Sequence, residues 1–206
     1  FPLSRNQRWS FLARVRFGYG NGYGDTNGNE QILPFTENFT AGGADSLRGF
    51  ENNTVGPRGI LRSTSGTTEG PNGEVYPNDP ADDYISLSSR SLGGNAMALG
   101  GIELIVPTPF VDAEMDNSVR TSLFVDVGNV WDTEFDYDTY KAFDQASTQY
   151  GTLLDYSDWS LYRSSAGVSV QWISPMGPMV FSFSKAIQQR DGDDAKFFTF
   201  NIGQTF

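Results

Sequence analysis

Apolar and polar residues alternate along six stretches of the chain, the period-two signature of strands with two unlike faces. In 8–19, Trp9, Phe11, Ala13, Val15, Phe17 and Tyr19 stand opposite Ser10, Leu12, Arg14, Arg16 and Gly18. In 96–106, the least polarised of the six, Ala98, Gly100, Ile102, Leu104 and Val106 oppose Met97, Leu99, Gly101, Glu103 and Ile105. In 118–131, Val119, Thr121, Leu123, Val125, Val127 and Trp131 oppose Arg120, Ser122, Phe124, Asp126 and Gly128. In 160–173, Tyr162, Ala166, Val168, Val170 and Trp172 oppose Arg163, Ser165, Gly167, Ser169 and Gln171. The last two, 179–187 and 196–206, set Met179, Phe181 and Phe183 against Ser182 and Ser184, and Phe198, Phe200, Ile202 and Phe206 against Thr199, Asn201, Gly203 and Thr205.

An ordinary strand has about 5–6 residues and a tilted membrane-crossing strand about 9–11; the lengths here favour the second. The connections divide into 20–95, 132–159 and 188–195 on one side and 107–117 and 174–178 on the other, the latter two carrying Pro107, Pro109, Pro175 and Pro178. If consecutive strands are neighbours, the longer connections share one rim, as in bacterial outer-membrane barrels. The pattern is clean for two of the three, because 188–195 is short. A small, hydroxyl-rich polar face fits a wet lumen, and Trp9, Tyr19, Trp131, Trp172 and Phe206 near strand ends fit interfacial girdles. A soluble β-sandwich, with the apolar face as its core, is the competing arrangement. Six strands fall short of the eight or so at which such barrels begin, and open edges are unsatisfied in hydrocarbon. The chain is therefore expected to be a piece of a larger barrel, with Phe1-Pro2-Leu3 the tail of a preceding strand.

Composition narrows the function. Fourteen Lys+Arg against 25 Asp+Glu give a net charge of −11, which repels nucleic-acid phosphates, so no nucleic-acid partner is expected. The absence of His and Cys removes zinc sites of the usual kind, disulfides and Ser-His-Asp chemistry. No catalytic residue, metal or cofactor is expected. Loop 132–159 holds seven acids and one Lys, with Asp132, Glu134, Asp136 and Asp138 at every second position. It reads as a solvated strand extension; the alternative, cation binding, lacks the Gly turn and final Glu of an EF-hand loop.

The connection 20–95 far exceeds the usual four to six or so residues, and such loops are functional or disordered. Its first half carries Gly pairs and aromatics able to pack; its second, 63–93, rich in Ser, Thr, Gly, Asn and Asp, reads as a solvated excursion. Within it lie Glu37-Asn38-Phe39, Ala41-Gly42-Gly43 and Arg48-Gly49-Phe50. Gly93-Gly94-Asn95-Ala96-Met97, Pro107-Thr108-Pro109-Phe110, Asn117-Ser118-Val119-Arg120-Thr121-Ser122 and Phe200-Asn201-Ile202-Gly203 follow in order. In these elements, over essentially the whole chain, the sequence resembles the BamA family of outer-membrane assembly factors. The resemblance implies an all-β fold, an antiparallel up-and-down transmembrane β-barrel. Residues 1–206 would be a six-strand C-terminal portion of a 16-stranded barrel, with loop 20–95 folding inward and the N-terminal POTRA domains absent.

The resemblance also implies a loop latch. Arg48 would dock on the inner-wall acids Glu103 and Asp126 beside Phe124, with Gly49 allowing close approach and Phe50 packing on the wall. A guanidinium offers five donors in a fixed fork and needs carboxylate partners when buried. Phe198, Phe200, Ile202, Gly203 and Phe206 resemble a C-terminal β-signal on a seam strand, read through its unpaired edge; Gln204 weakens the apolar face. The implied function is assembly and insertion of outer-membrane β-barrel proteins in the bacterial outer membrane, without enzymatic chemistry. The implied partners are unfolded outer-membrane protein clients, accessory lipoproteins of the assembly complex bound through the POTRA region, and outer-membrane lipid. The isolated chain is expected to self-associate through its free edges. A passive diffusion porin, with Arg14, Arg16, Arg120 and Arg163 lining the lumen, and a related translocation protein of the same superfamily are the alternatives.

Overall fold

A computed structural model describes residues 9–23, 25–26, 29–30, 33–63, 67–69, 75–77, 84–108, 118–141, 152–175 and 177–202. In chain order the strands are β1 (Ser10–Tyr19), β2 (Asp25–Thr26), β3 (Asn29–Glu30), β4 (Arg58–Ser63), β5 (Thr67–Glu69), β6 (Val75–Pro77), β7 (Tyr84–Ser91), β8 (Ala96–Val106), β9 (Val119–Trp131), β10 (Arg163–Ser174), β11 (Gly177–Gln188) and β12 (Phe198–Ile202). Six of them form one antiparallel sheet in the order β1-β8-β9-β10-β11-β12. These are the six alternating stretches, and β1 follows β8 in space because 20–95 is a single long excursion between neighbours. The sheet is open among the described residues.

One face of this sheet is apolar and uncovered. Val15, Phe17, Ile102, Leu123, Val125, Val127, Val168, Trp172, Phe183, Phe198, Phe200 and Ile202 are all exposed on it. The Phe181 and Phe200 rings meet at a tilt with centroids 4.9 Å apart, and Phe183 and Phe198 do so at 5.2 Å, along that surface. Among the described residues no second sheet covers these rings, which argues against the sandwich arrangement. Strands of 10–13 residues (β1, β8 to β11) rising about 3.3 Å per residue at a tilt near 40° reach the ~25 Å of an outer-membrane apolar band.

The opposite face is where the core sits. Residues 39–55 lie on its upper half, and Ala41, Leu47, Phe50 and Val55 pack there with Met97, Leu99 and Val130 of the wall. This explains why 96–106 is the least polarised stretch: Met97 and Leu99 point inward, onto packed protein. Further along the same face the inward residues turn to hydroxyls, with Ser122, Ser165, Ser169, Ser182, Ser184 and Thr199 buried.

Two loop expectations are corrected. The 63–93 segment is not wholly a solvated excursion: β7 pairs with β4, and Ile85 and Leu87 are buried. Nor is 132–159 a strand extension. β9 stops at Trp131, Asp136 caps a single helical turn at Tyr137–Tyr140, and Leu153 and Tyr156 are buried against Ile85 and Leu87 with Phe135 beside them. Loop composition hid a small apolar cap because its apolar residues come from two segments distant in sequence. The strand from 160 begins instead at Arg163, because Asp158 and Ser160 close a turn first.

Candidate functional site

The register of four strands builds the floor of the site. Arg14, Gly101, Asp126 and Ser165 form one row across β1, β8, β9 and β10, and Leu12, Glu103, Phe124 and Gly167 form the next. Small residues therefore flank the carboxylate on both sides, and Gly167 stands beside the aromatic ring. A Cβ on Gly101 would stand 2.6 Å from Asp126 Oδ1, and one on Gly167 would stand 2.8 Å from Phe124 Cζ. The two glycines leave room for Asp126 and Phe124 to lie down on the wall.

Arg48 enters this space from the in-folded segment and is 2% exposed; Asp126 is fully buried. Its Nε donates to Asp126 Oδ2 at 2.7 Å and its Nη2 to Asp126 Oδ1 at 2.9 Å, a bidentate fork. Its Nη1 meets Glu103 Oε1 at 2.5 Å. The guanidinium carbon lies 3.5 Å from the centroid of the Phe124 ring, so the cation also sits on a π face. Arg14 adds a second cation, with Nη2 3.1 Å from Asp126 Oδ1. Two arginines thus face two carboxylates, and the buried cluster is neutral as a whole. The main chain joins in: Arg48 N–H donates to Asp126 Oδ2 at 3.3 Å and Ser165 Oγ donates to the Arg48 carbonyl.

Gly49 follows at φ +94°, where a Cβ would meet Ser165 Cβ at 2.8 Å; only glycine combines this backbone with this approach. Phe50 is fully buried. The preceding motifs shape the segment. Phe39 N–H donates to the Gly94 carbonyl at 2.9 Å and Gly94 N–H returns to Phe39 at 3.1 Å, while Val55 N–H donates to Ala41 at 3.2 Å and Gly43 N–H to Phe50 at 3.0 Å. Asn95 accepts from Thr133 N–H at 2.9 Å and donates to Thr133 Oγ1 at 2.8 Å, tying the start of β8 to the end of β9.

The structure thus brings Arg48, Gly49, Phe50, Glu103, Phe124 and Asp126 together. Phe198, Phe200 and Ile202 lie on the outward face of β12, whereas Gly203 and Phe206 lie outside the described residues. β12 begins at Phe198, two residues later than the alternation suggests, because Lys196 and Phe197 belong to the turn before it. Arg163 does not line an open lumen: its Nε and Nη2 pair with Asp193 at 2.9 and 3.0 Å, both side chains buried. Arg14 and Ser165 were legible as neighbours of Asp126 once the register was known; the Arg163–Asp193 pair carried no local signal. In the upper cap, burial pushes the Tyr156 phenol up to about 12, and the Thr152 N–H holds the Asp191 carboxyl below the usual range. Among the described residues no group of three or more acids is gathered as a metal site, the acidic run from Asp132 included.

Residues 1–206 match the family model of the Omp85 superfamily domain. The chain belongs to the Omp85 superfamily. It is 33% identical over 214 residues to the outer membrane protein assembly factor BamA of Neisseria meningitidis serogroup B, a match covering 100% of this chain and 22% of that protein. It superposes on the crystal structure of BamA from Haemophilus ducreyi lacking POTRA domains 1-3 with a TM-score of 0.72 at 32% identity, covering 97% of this chain and 32% of that one. The chain spans about a fifth of the length of the curated relative it matches. As an Omp85 member it is an outer-membrane chain of Gram-negative bacteria, and its six-stranded antiparallel sheet corresponds to part of the BamA barrel.

Proposed function

We propose that residues 1–206 are the C-terminal part of the barrel of a BamA-type insertase, which assembles and inserts outer-membrane β-barrel proteins. The observation that carries this reading is the Arg48 cluster: a guanidinium on an in-folded loop, buried on a bidentate Asp126 and on Glu103. Similarity to two BamA proteins over the whole chain supports it. In this reading the cluster is a latch that holds 41–55 against the inner wall, and no bond is made or broken. β12 offers an edge on which a client strand forms backbone hydrogen bonds, and burial of the client's apolar face with completion of its pairing supplies the driving force. The partners are unfolded outer-membrane protein clients, lipid, and accessory lipoproteins bound through POTRA domains elsewhere in the whole protein.

The in-folded segment also argues against a passive porin. Leu47, Arg48 and Phe50 are buried on the inner face, and of the arginines a porin would expose Arg14 pairs with Asp126 and Arg163 with Asp193, while Arg16 and Arg120 stay exposed. The test is Arg48→Ala in the whole protein, assayed for client insertion into liposomes and for conductance in planar bilayers. Insertion should fall well below that of the unaltered protein, with only small, flickering currents. Full insertion by the variant, or a large steady conductance of the unaltered protein, would overturn the reading.

A further inference from the structure

The in-folded segment touches more than the wall. Past the latch, the chain runs antiparallel to the turn between β11 and β12: Glu51 N–H donates to the Asp194 carbonyl at 2.8 Å and Lys196 N–H donates to the Gly49 carbonyl at 2.9 Å, so that Phe50 and Ala195 form a β-bridge. Lys196 Nζ reinforces it on Glu51 at 2.8 Å. Before the latch, Asp45 Oδ1 accepts from Asn201 Nδ2 at 2.9 Å, near the other end of β12. The turn is itself fixed by the buried Arg163–Asp193 pair, by the Arg58 guanidinium on the Gly192 carbonyl, and by Thr152 on Asp191. Among the described residues β12 pairs with β11 over Phe198–Ile202 against Met179–Phe183, and Ser184 N–H donates to the Phe197 carbonyl at 2.8 Å just before them. The segment adds two main-chain bonds at Asp194 and Lys196, immediately before the strand, and one side-chain bond at Asn201 within it.

From this geometry we propose that residues 45–51 position the last strand: they grip β12 through the Phe50–Ala195 bridge and the Asp45–Asn201 bond, and the Arg48 latch sets where that grip stands. Wall, segment and edge strand then move as one body, and undocking Arg48 loosens the edge that pairs with a client. This rests on the insertase reading for its purpose but not for its test, because strand mobility is measured without any client.

The experiment is amide hydrogen exchange on the whole protein in detergent micelles, comparing the unaltered protein with Asp45→Ala, Asp45→Asn and Arg48→Lys. A lost hydrogen bond of the usual net strength corresponds to about two- to tenfold faster exchange. Asp45→Ala should produce that change in 198–202 while amides of β8 and β9 keep their rates. Asp45→Asn retains an accepting oxygen and should restore the original rates. Arg48→Lys loses the bidentate fork and should speed exchange at 195–202 together with 45–51. Unchanged β12 exchange in Asp45→Ala, or an equal rise across β8, β9 and β12, would overturn the proposal even if client insertion were confirmed. Asp45 is exposed, so that variant folds independently of how well Arg48→Lys does. Loss of client insertion with unchanged exchange counts against the grip and leaves the insertase reading intact.

Discussion

Asp126 is the residue on which the inner face turns. It is fully buried and accepts from Arg48 Nε, Nη2 and main-chain N–H and from Arg14. Removing one partner of a buried ion pair costs about 3–5 kcal/mol, because the remaining charge is left desolvated. Asp126→Asn removes the charged half of the Arg48 fork, leaving Glu103 as its remaining carboxylate partner, and should lower the thermal unfolding midpoint of the whole protein in detergent by several degrees at least; a midpoint within error of the unaltered protein would remove Asp126 from this role. Family resemblance implies Arg48, Glu103 and Asp126, and alternation sets Glu103 and Asp126 each on the more polar face of its strand. What alternation could not supply was the row order. That Gly101 and Ser165 flank Asp126, and that Gly167 opens a bed for Phe124, depends on cross-strand register. The Asp193 partner of Arg163 was hidden for the same reason: 30 residues separate them, and no local pattern marks either.

At the scale of elements, the long strands were readable because each has two chemically distinct environments, one uncovered and apolar, the other facing hydroxyls and the in-folded segment. The upper cap was not readable, since β4, β7 and the 132–162 connection each contribute too few apolar residues to show a period. Ile85, Leu87, Leu153 and Tyr156 nonetheless form a buried cluster with Ile60 and Phe135. Tyr156 supplies its pH test. Its pKa is raised from 10 to about 12, chiefly by burial, so the neutral phenol stabilises the cap fully below pH 10 or so. That stabilisation is lost as pH rises through about 12 and amounts to about 3 kcal/mol at most, two pKa units at about 1.4 each. Absorbance titration should show one phenol ionising last, with cap proteolysis rising over the same interval, and Tyr156→Phe should abolish that final step. A titration in which every phenol ionises near pH 10 would place Tyr156 in water.

Over the whole molecule the uncovered apolar face is the dominant energetic fact. Val125 lies mid-strand on it, 49% exposed, flanked in register by Ile102 and Ala166. In a bilayer, Arg at such a midplane site costs about 2–4 kcal/mol; in water it would cost almost nothing. Val125→Arg in the whole protein should therefore reduce folding into lipid vesicles while Ser89→Arg, at an exposed position of β7, leaves it unchanged; equal folding by both would place the face in water. The same surface makes the chain expressed alone a poor monomer. With β1 and β12 each unpaired on one side among the described residues, it should associate unless detergent covers it. The cap has a separate consequence. The cap is assembled from 58–63, 84–91, 135–141 and 152–156, so an antibody selected on the folded protein would read pieces that no short synthetic peptide reproduces. Serum raised against any one of those peptides should then bind denatured chain on a blot and pass over intact cells.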